Sequence, residues 1–432
     1  MTASTALFTD RYELTMIDAA MRDGHAERRC VFEVFTRRLH GGRRYGVCAG
    51  VGRLLDAIES FRFTDEILAW LDSEHVVSPA ALTYLSTYRF TGDVRGYHEG
   101  ELFFPGSPVL EIEGTFAEAV IIETLVLSIL NYDSAVATAA SRMVTAAEGT
   151  PLIEMGSRRT SEGSGVAAAR AAYIAGFSST SNLEAGRTWG VPTKGTSAHS
   201  FTLLHDSEEE AFRAQVAAFG PETTLLIDTF DINAAVETAV RVAGTKLGAV
   251  RIDSGDLPSL VRNVRDQLDS LGATETAIVV TNDLNENTIA ALRGAPVDVF
   301  GVGTSVVTGS GSPAAGMVYK LVEHHNSAGE RVAVSKRSPE KINPAGRKIA
   351  RRQLVDGVAT AELVDIGAVD RSSGEGRTLV HDFVVGGEIR DEFRGAAGVE
   401  RARAHHQLAV AELPESARRL SPGDPAIPTV FH

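Results

Sequence analysis

From residue 151 to about residue 307, short apolar runs rich in β-branched residues alternate with longer stretches whose apolar positions recur every three or four residues. The runs at 152–155, 177–180, 192–196, 224–228, 248–253, 277–281 and 297–301 predict seven strands, the one at 177–180 being the weakest. The stretches at 166–174, 208–219, 232–242, 257–271 and 287–292 predict the helices between them. A repeat of roughly two dozen residues that alternates strand and helix is the rhythm of successive βα units, so a barrel-like parallel sheet of seven strands is expected.

The flanks have another texture. Residues 1–116 mix alternating strand patterns, such as 29–36, with helical ones, such as 52–59, and strand patterns return near 378–385. The expected division is therefore 1–116 as the first part of an α+β domain, 117–335 as a β/α barrel with a preceding helix, and 336–432 as a segment packing back on the first part. Glycine, proline and lysine in 309–313 and 331–348 predict loops there.

With 432 residues and 44% hydrophobic content, the chain exceeds the size at which one core stops growing. The 56 acidic against 42 basic residues give a formal net charge of -14, which disfavours nucleic acid, whose phosphates are held by Lys and Arg. A local site for a small anion remains open, because backbone amides and a few arginines create a field that net charge does not report. Two cysteines, Cys30 and Cys48, make neither a metal spacing nor a set of bridges, which fits a reducing compartment. Charges among the first 20 residues argue against a signal peptide. The apolar stretch 117–130 is short for a bilayer and carries Glu118 and Glu123, so no membrane span is expected and the cytoplasm is the default location.

In parallel α/β barrels the reacting groups sit on loops after the C-terminal ends of the strands, because the inner faces are packed solid. Polar residues collect at those ends: Glu154, Arg158 and Arg159 after the first run, Ser181 and Asn182 after the second, His199 after the third. Asp228 and Asp231, Asp253 and Asp256, Asn282 and Asp283, and finally Gly301, Gly303 and Thr304 follow the later runs.

Four constellations stand out: Glu154-Met-Gly-Ser-Arg158-Arg159, Lys194-Gly-Thr-Ser-Ala-His199-Ser, Arg251-Ile-Asp253-Ser-Gly255-Asp256 and Phe300-Gly-Val-Gly303-Thr304. With Thr9-Asp-Arg-Tyr12-Glu-Leu-Thr15 at the start and Gly311-Ser-Pro followed by Tyr319-Lys-Leu late in the chain, their order resembles the nicotinate phosphoribosyltransferases over most of the sequence. The resemblance implies the type II phosphoribosyltransferase fold, with an active site between an α+β sandwich domain and a seven-stranded TIM-like barrel, completed by the second subunit of a homodimer. It implies nicotinate and phosphoribosyl pyrophosphate as substrates, ATP as co-substrate and magnesium as cofactor, in recycling toward NAD.

His199 stands where that family has a histidine phosphorylated by ATP. A neutral imidazole is nucleophilic near neutral pH, and a carboxylate on its other nitrogen fixes the tautomer; Asp228 and Asp253 are the two candidates. For an isolated histidine the plainer reading is a satisfied structural side chain, and the flanking motif reverses it. Arg158 is the expected partner of the nicotinate carboxylate, through two parallel hydrogen bonds. Tyr12 resembles the aromatic that covers the pyridine ring from the neighbouring subunit. Met155 stands where relatives often carry a stacking aromatic, and Ser181 lies where nicotinamide-using relatives carry an aspartate, which favours the acid over the amide.

Gly303 and Thr304 resemble the family's phosphate-binding turn. Asp253 and Asp283 are candidates for ribose hydroxyls or magnesium, with Arg251 on the same substrate, and the metal ligands themselves stay open. Asp256, directly before Leu257-Pro258, reads equally as a helix N-cap. Lys336, Lys341 and Lys348 lie in a late basic run similar to one that reaches nucleotide phosphates, although solvated charge is the commoner fate of such a run. Two rival readings are a quinolinate-type phosphoribosyltransferase, which needs further basic groups and no histidine, and a non-catalytic binding protein that kept the fold.

Overall fold

The computed structural model describes residues 4–336, 344–367 and 374–432. The chain forms two compact units, one from Met1–Thr138 with Ser312–His432 and one from Ala139–Gly311. Residues 117–138 and 312–335 thus belong to the first unit.

The first unit is built on a seven-stranded sheet that includes the interior strand Arg29–Thr36, whose residues are buried except the first. That strand pairs antiparallel with Leu110–Thr115 and with Met317–His325. Farther along the same sheet, Val380–Val385 pairs with Asp93–Tyr97, so early and late segments share one set of backbone ladders. Lys348 opens the strand Lys348–Val355 and is buried, its Nζ 2.8 Å from Glu33 Oε2. It is a core ion-pair partner and not a member of a solvated loop; Lys341 lies outside the described residues. Burial raises the Glu33 carboxyl to about 7 despite that partner. Cys30 and Cys48 are both free and buried, with burial pushing the Cys30 thiol up to about 11.

A helical stretch, Phe116–Ala147, runs for 32 residues, opened by a capping box between Thr115 and Glu118. The expectation that this segment is too short for a bilayer does not hold, since the stretch is long and apolar enough by length and composition. Its most apolar window is however 67% buried within the protein, as expected of a core helix.

The second unit carries a parallel sheet in the order Ser179–Thr180, Leu152–Glu154, Val299–Val302, Ala277–Val280, Ala249–Ile252, Thr224–Leu226. Apart from Ser179–Thr180, these strands are short and mostly apolar, and most of their residues are buried. The intervening helices begin and end at sequence punctuation. Glu208–Phe219 starts at the Ser207 hydroxyl and stops at Gly220, whose φ of 82° suits glycine; Ile232–Ala243 starts at Asp231 and stops at Gly244, φ 76°.

The sheet has six strands, not the seven expected. The segment 192–196 contributes a single bridge, Thr180 with Thr193. Pro192 has only a carbonyl to offer, which Thr180 N engages at 2.9 Å, while Lys194 N donates to Thr180 O at 2.9 Å. Among the described residues no ladder joins this segment to Thr224–Leu226, so a closed seven-stranded barrel is not formed by backbone pairing. The short helices Leu183–Trp189 and His199–Leu204 were not legible in the periodicity.

Candidate functional site

At the C-terminal ends of these strands lies a cavity of about 640 Å³ in the second unit. Its wall includes Met155, Arg158, Ser181, Arg251, Asp253, Asp283, Gly303 and Thr304, so the strand-end rule brings eight expected residues together. Tyr12 lies in the first unit, on the helix Arg11–Arg22, 45% exposed as a residue and with its hydroxyl pushed up to about 12 by burial and the Glu123 charge.

The first strand positions the arginine loop. Glu154 is fully buried and accepts from Gly156 N and from Thr180 Oγ1, which ties the turn after this strand to its neighbour; burial raises its pKa. A side chain at Gly156 would sit 2.2 Å from Val307 Cγ1, so only glycine passes there. The turn leads into Ser157–Arg159, where Asn182, the N-cap of Leu183–Trp189, donates to Ser157 Oγ at 2.9 Å. Arg158 is exposed on the cavity wall and has no ion-pair partner among the described residues, so its guanidinium faces an open volume.

The floor is held by hydroxyls. Arg251 Nε donates to Thr281 Oγ1 at 2.9 Å, and Thr281 Oγ1 donates to Asp253 Oδ1 at 2.5 Å. Arg251 also reaches Thr196 Oγ1 at 3.0 Å, anchoring the loop before His199. Gly301 leaves room for Met155, whose sulfur would lie 2.9 Å from an added Cβ.

His199 begins the helix His199–Leu204. Its Nε2 lies 3.9 Å from Asp228 Oδ1 and 3.9 Å from Asp253 Oδ2, so both candidate carboxylates face one nitrogen. Its Nδ1 lies 3.2 Å from Thr229 Oγ1. The Asp228 side chain is 1% exposed, against 32% for Asp253. Asp228 Oδ2 accepts from Asp253 N at 2.9 Å and from Ser254 Oγ at 2.7 Å, while Oδ1 has no hydrogen-bond partner. His199 and Asp228 do not line the cavity themselves, whereas Ala198, the residue before His199, and Asp253, 3.9 Å from His199 Nε2, do. Asp256 sits at the N-cap position of Leu257–Ser270, where its carboxylate accepts from Ser259 Oγ instead of a backbone amide.

Thr229, Thr281 and Ser157 are absent from the residues singled out in the sequence as site candidates, whereas Asn182 was noted at its strand end. Thr281 ends an expected strand and Thr229 follows Asp228 directly, so their position at strand ends was available as a signal. Their lack of charge hid it. Among the described residues no group of three or more His, Cys, Asp or Glu is arranged to hold a metal alone. Asp253 and Asp283 both line the cavity and offer the hard oxygen ligands that a divalent cation would share with a bound ligand.

Known proteins with this pattern agree in kind. The nicotinate phosphoribosyltransferase N-terminal domain family matches residues 7–131. Nicotinate phosphoribosyltransferase pncB1 of Mycobacterium tuberculosis is 54% identical over 98% of this chain and 94% of its own length. The nicotinate phosphoribosyltransferase of Bacillus subtilis is 37% identical over 88% and 81%. The crystal structure of human nicotinic acid phosphoribosyltransferase superposes with a TM-score of 0.82 at 25% identity, covering 98% of this chain and 97% of that one. A nicotinate-nucleotide pyrophosphorylase from Pyrococcus furiosus shares the fold, with a TM-score of 0.75 at 23% identity over 94% and 96%. A relative more than half identical along nearly the whole chain, joined to a cavity carrying the expected strand-end residues, leaves one assignment: the chain belongs to the nicotinate phosphoribosyltransferase family.

Proposed function

We propose that this chain joins nicotinate to phosphoribosyl pyrophosphate, giving nicotinate mononucleotide and diphosphate for NAD salvage. What supports the reading is the exposed Arg158 guanidinium, without an ion-pair partner among the described residues, in a cavity that Asp253 and Asp283 also line. A planar carboxylate fits the arginine fork, and Ser181 nearby brings no second negative charge to repel it. The pyridine nitrogen attacks the anomeric carbon as the bond to diphosphate breaks, and carboxylates on the cavity wall stabilise the positive charge that develops on the sugar. Arg251, held by Thr281 and Thr196, presents a fixed cation to the substrate phosphates, with Gly303 and Thr304 at the phosphate end. Asp253 and Asp283 would hold a magnesium ion shared with the substrate, and such an ion would supply positive charge against the departing diphosphate.

ATP hydrolysis is coupled through His199, which forms an N–P bond as the bond to ADP breaks and later gives the phosphoryl group to water. The active unit is a homodimer in which the exposed Tyr12 of one copy covers the pyridine ring in the other.

Product analysis of the purified full chain with phosphoribosyl pyrophosphate tests the reading. Nicotinate is expected to be converted, faster with ATP than without, and nicotinamide and quinolinate to be left. Turnover of quinolinate in preference to nicotinate, or of neither, would overturn it.

A further inference from the structure

A second cavity, of about 310 Å³, lies wholly in the first unit, against the helix Arg11–Arg22, and shares no residue with the one at the strand ends. Its existence follows from where the chain places short side chains. Across the seven-stranded sheet, Cys30 stands opposite Gly114 on one side and His324 on the other, so these three positions share a face, and Gly114 brings no side chain to it. The helix offers Ala19 and Ala20 beside Met16, which leaves space open between it and the strands. Phe116 and Leu321 line the same space, and both are only half-buried. Cys30 adds a neutral wall, since burial pushes its thiol up to about 11.

The walls are held by backbone hydrogen bonds. Phe116 N donates to Arg28 O at 2.8 Å and Ala117 N to Ala26 O at 3.0 Å, while His25 N and Ala26 N donate to Ala20 O at 2.8 and 3.0 Å, so the turn after the helix is tied on both sides. The charges around this turn differ in how they are answered. Arg22 pairs with Asp18 at 3.0 Å and Arg29 with Glu113 at 3.3 Å. His25 engages Asp23, its Nδ1 2.8 Å from Oδ1, and that carboxyl is held low first by the hydrogen bond from His25 and only last by Arg28. Arg28 itself is half-buried on the cavity wall and has neither an ion pair nor a side-chain hydrogen bond among the described residues.

We propose that this cavity is a second binding site, for a small aliphatic carboxylate: Arg28 takes the carboxylate, and Met16, Ala20, Cys30, Phe116 and Leu321 take the hydrocarbon chain. A guanidinium with no carboxylate of its own, set beside apolar walls, matches a ligand with one anionic end and an apolar body, because a ligand with either part alone leaves the other uncovered. The volume is at the lower end of those that hold small molecules. A phosphate ester fits poorly, since Asp23 on the same wall repels a second negative charge and the apolar walls desolvate it. The strand-end cavity has the opposite bias. Hydroxyls, arginines and aspartates line it, so an aliphatic chain separates the two sites.

NMR of the full chain, labelled with ¹³C at the methionine methyls and titrated with hexanoate or its neutral counterpart hexanamide, tests the site. Met16 reports on this cavity and Met155 on the strand-end one, each assigned through its replacement by leucine. Hexanoate is expected to move the Met16 signal with a Kd on the order of 1 mM, and hexanamide to bind about tenfold more weakly for want of the charge. Arg28→Gln should weaken hexanoate by about tenfold and leave hexanamide as it was. Ala19→Leu adds bulk at an exposed helix position on the cavity wall and should remove binding of both, with the remaining methionine signals in place to show that each variant is folded. A Met16 signal unmoved by about 10 mM hexanoate, equal affinity for acid and amide, or undiminished hexanoate binding in either variant would overturn the proposal. Movement of Met155 in place of Met16 would assign the ligand to the strand-end cavity and overturn it as well.

Discussion

Arg158 illustrates what one residue can and cannot announce. The rule that strand ends carry chemistry placed it on a rim, and the structure adds that its guanidinium is exposed and free of ion pairs among the described residues. Lysine at this position keeps the charge and loses the two-bond fork. Arg158→Lys is therefore expected to raise the KM for nicotinate by about tenfold, the worth of one charge-assisted hydrogen bond, while leaving that for phosphoribosyl pyrophosphate nearly unchanged. Steady-state kinetics with each substrate varied in turn checks this, and an unmoved nicotinate KM would place Arg158 in structure. The hydroxyls that fix the site were harder to read. Thr229 and Thr281 carry no charge, and their importance lies in what they touch: His199 for the one, Arg251 and Asp253 for the other.

At the scale of elements, legibility followed punctuation. Ser207 and Gly220 bracket one helix, Asp231 and Gly244 another, and both were readable because capping and positive φ restrict which residues serve. The segment 192–196 misled because its composition suits a strand while Pro192 removes a ladder donor, leaving one bridge. Lys348 misled for a different reason: its partner Glu33 is 315 positions away, and no local pattern reports such a pairing. Its strand packs a buried lysine against a buried carboxylate, so Lys348→Met should cost about 3 kcal/mol at pH 7.5 by stranding Glu33. The cost should shrink toward pH 5, because Glu33, already raised to about 7, takes up a proton there and no longer needs a cation. Denaturant unfolding at the two pH values measures it; equal stability of the variant and the parent at pH 7.5 would contradict the pairing's role.

For the whole molecule, the pairing of early and late strands in one sheet was legible only as a similarity of texture between the two flanks, since strand order depends on long-range contacts. The same unit predicts an acid limb in stability. His406, in the helix Gly395–Ala411, is buried with Nδ1 2.9 Å from Gly100 O, and burial pushes it down to about 4; burial lowers His98 and His381 as well. The unfolded chain takes up these protons near pH 6.5 and the folded chain resists, so the unfolded state binds more protons between about 6.5 and 4 and stability falls as pH drops through that window. His406 alone accounts for a loss on the order of 3 kcal/mol. His406→Asn keeps a donor for Gly100 O without the charge, and its unfolding free energy should fall less steeply from pH 7 to pH 5; an unaltered slope would remove His406 from the account.

The measurement that tests the central claim most directly is a crystal structure of the full chain with nicotinate mononucleotide. The pyridine carboxylate should lie within hydrogen-bond distance of Arg158, the phosphate against Gly303 and Thr304, and Tyr12 of a second copy over the ring. A nucleotide bound outside the cavity at the strand ends, or lying in it with phosphate on Arg158 and the pyridine at Gly303, would contradict the account.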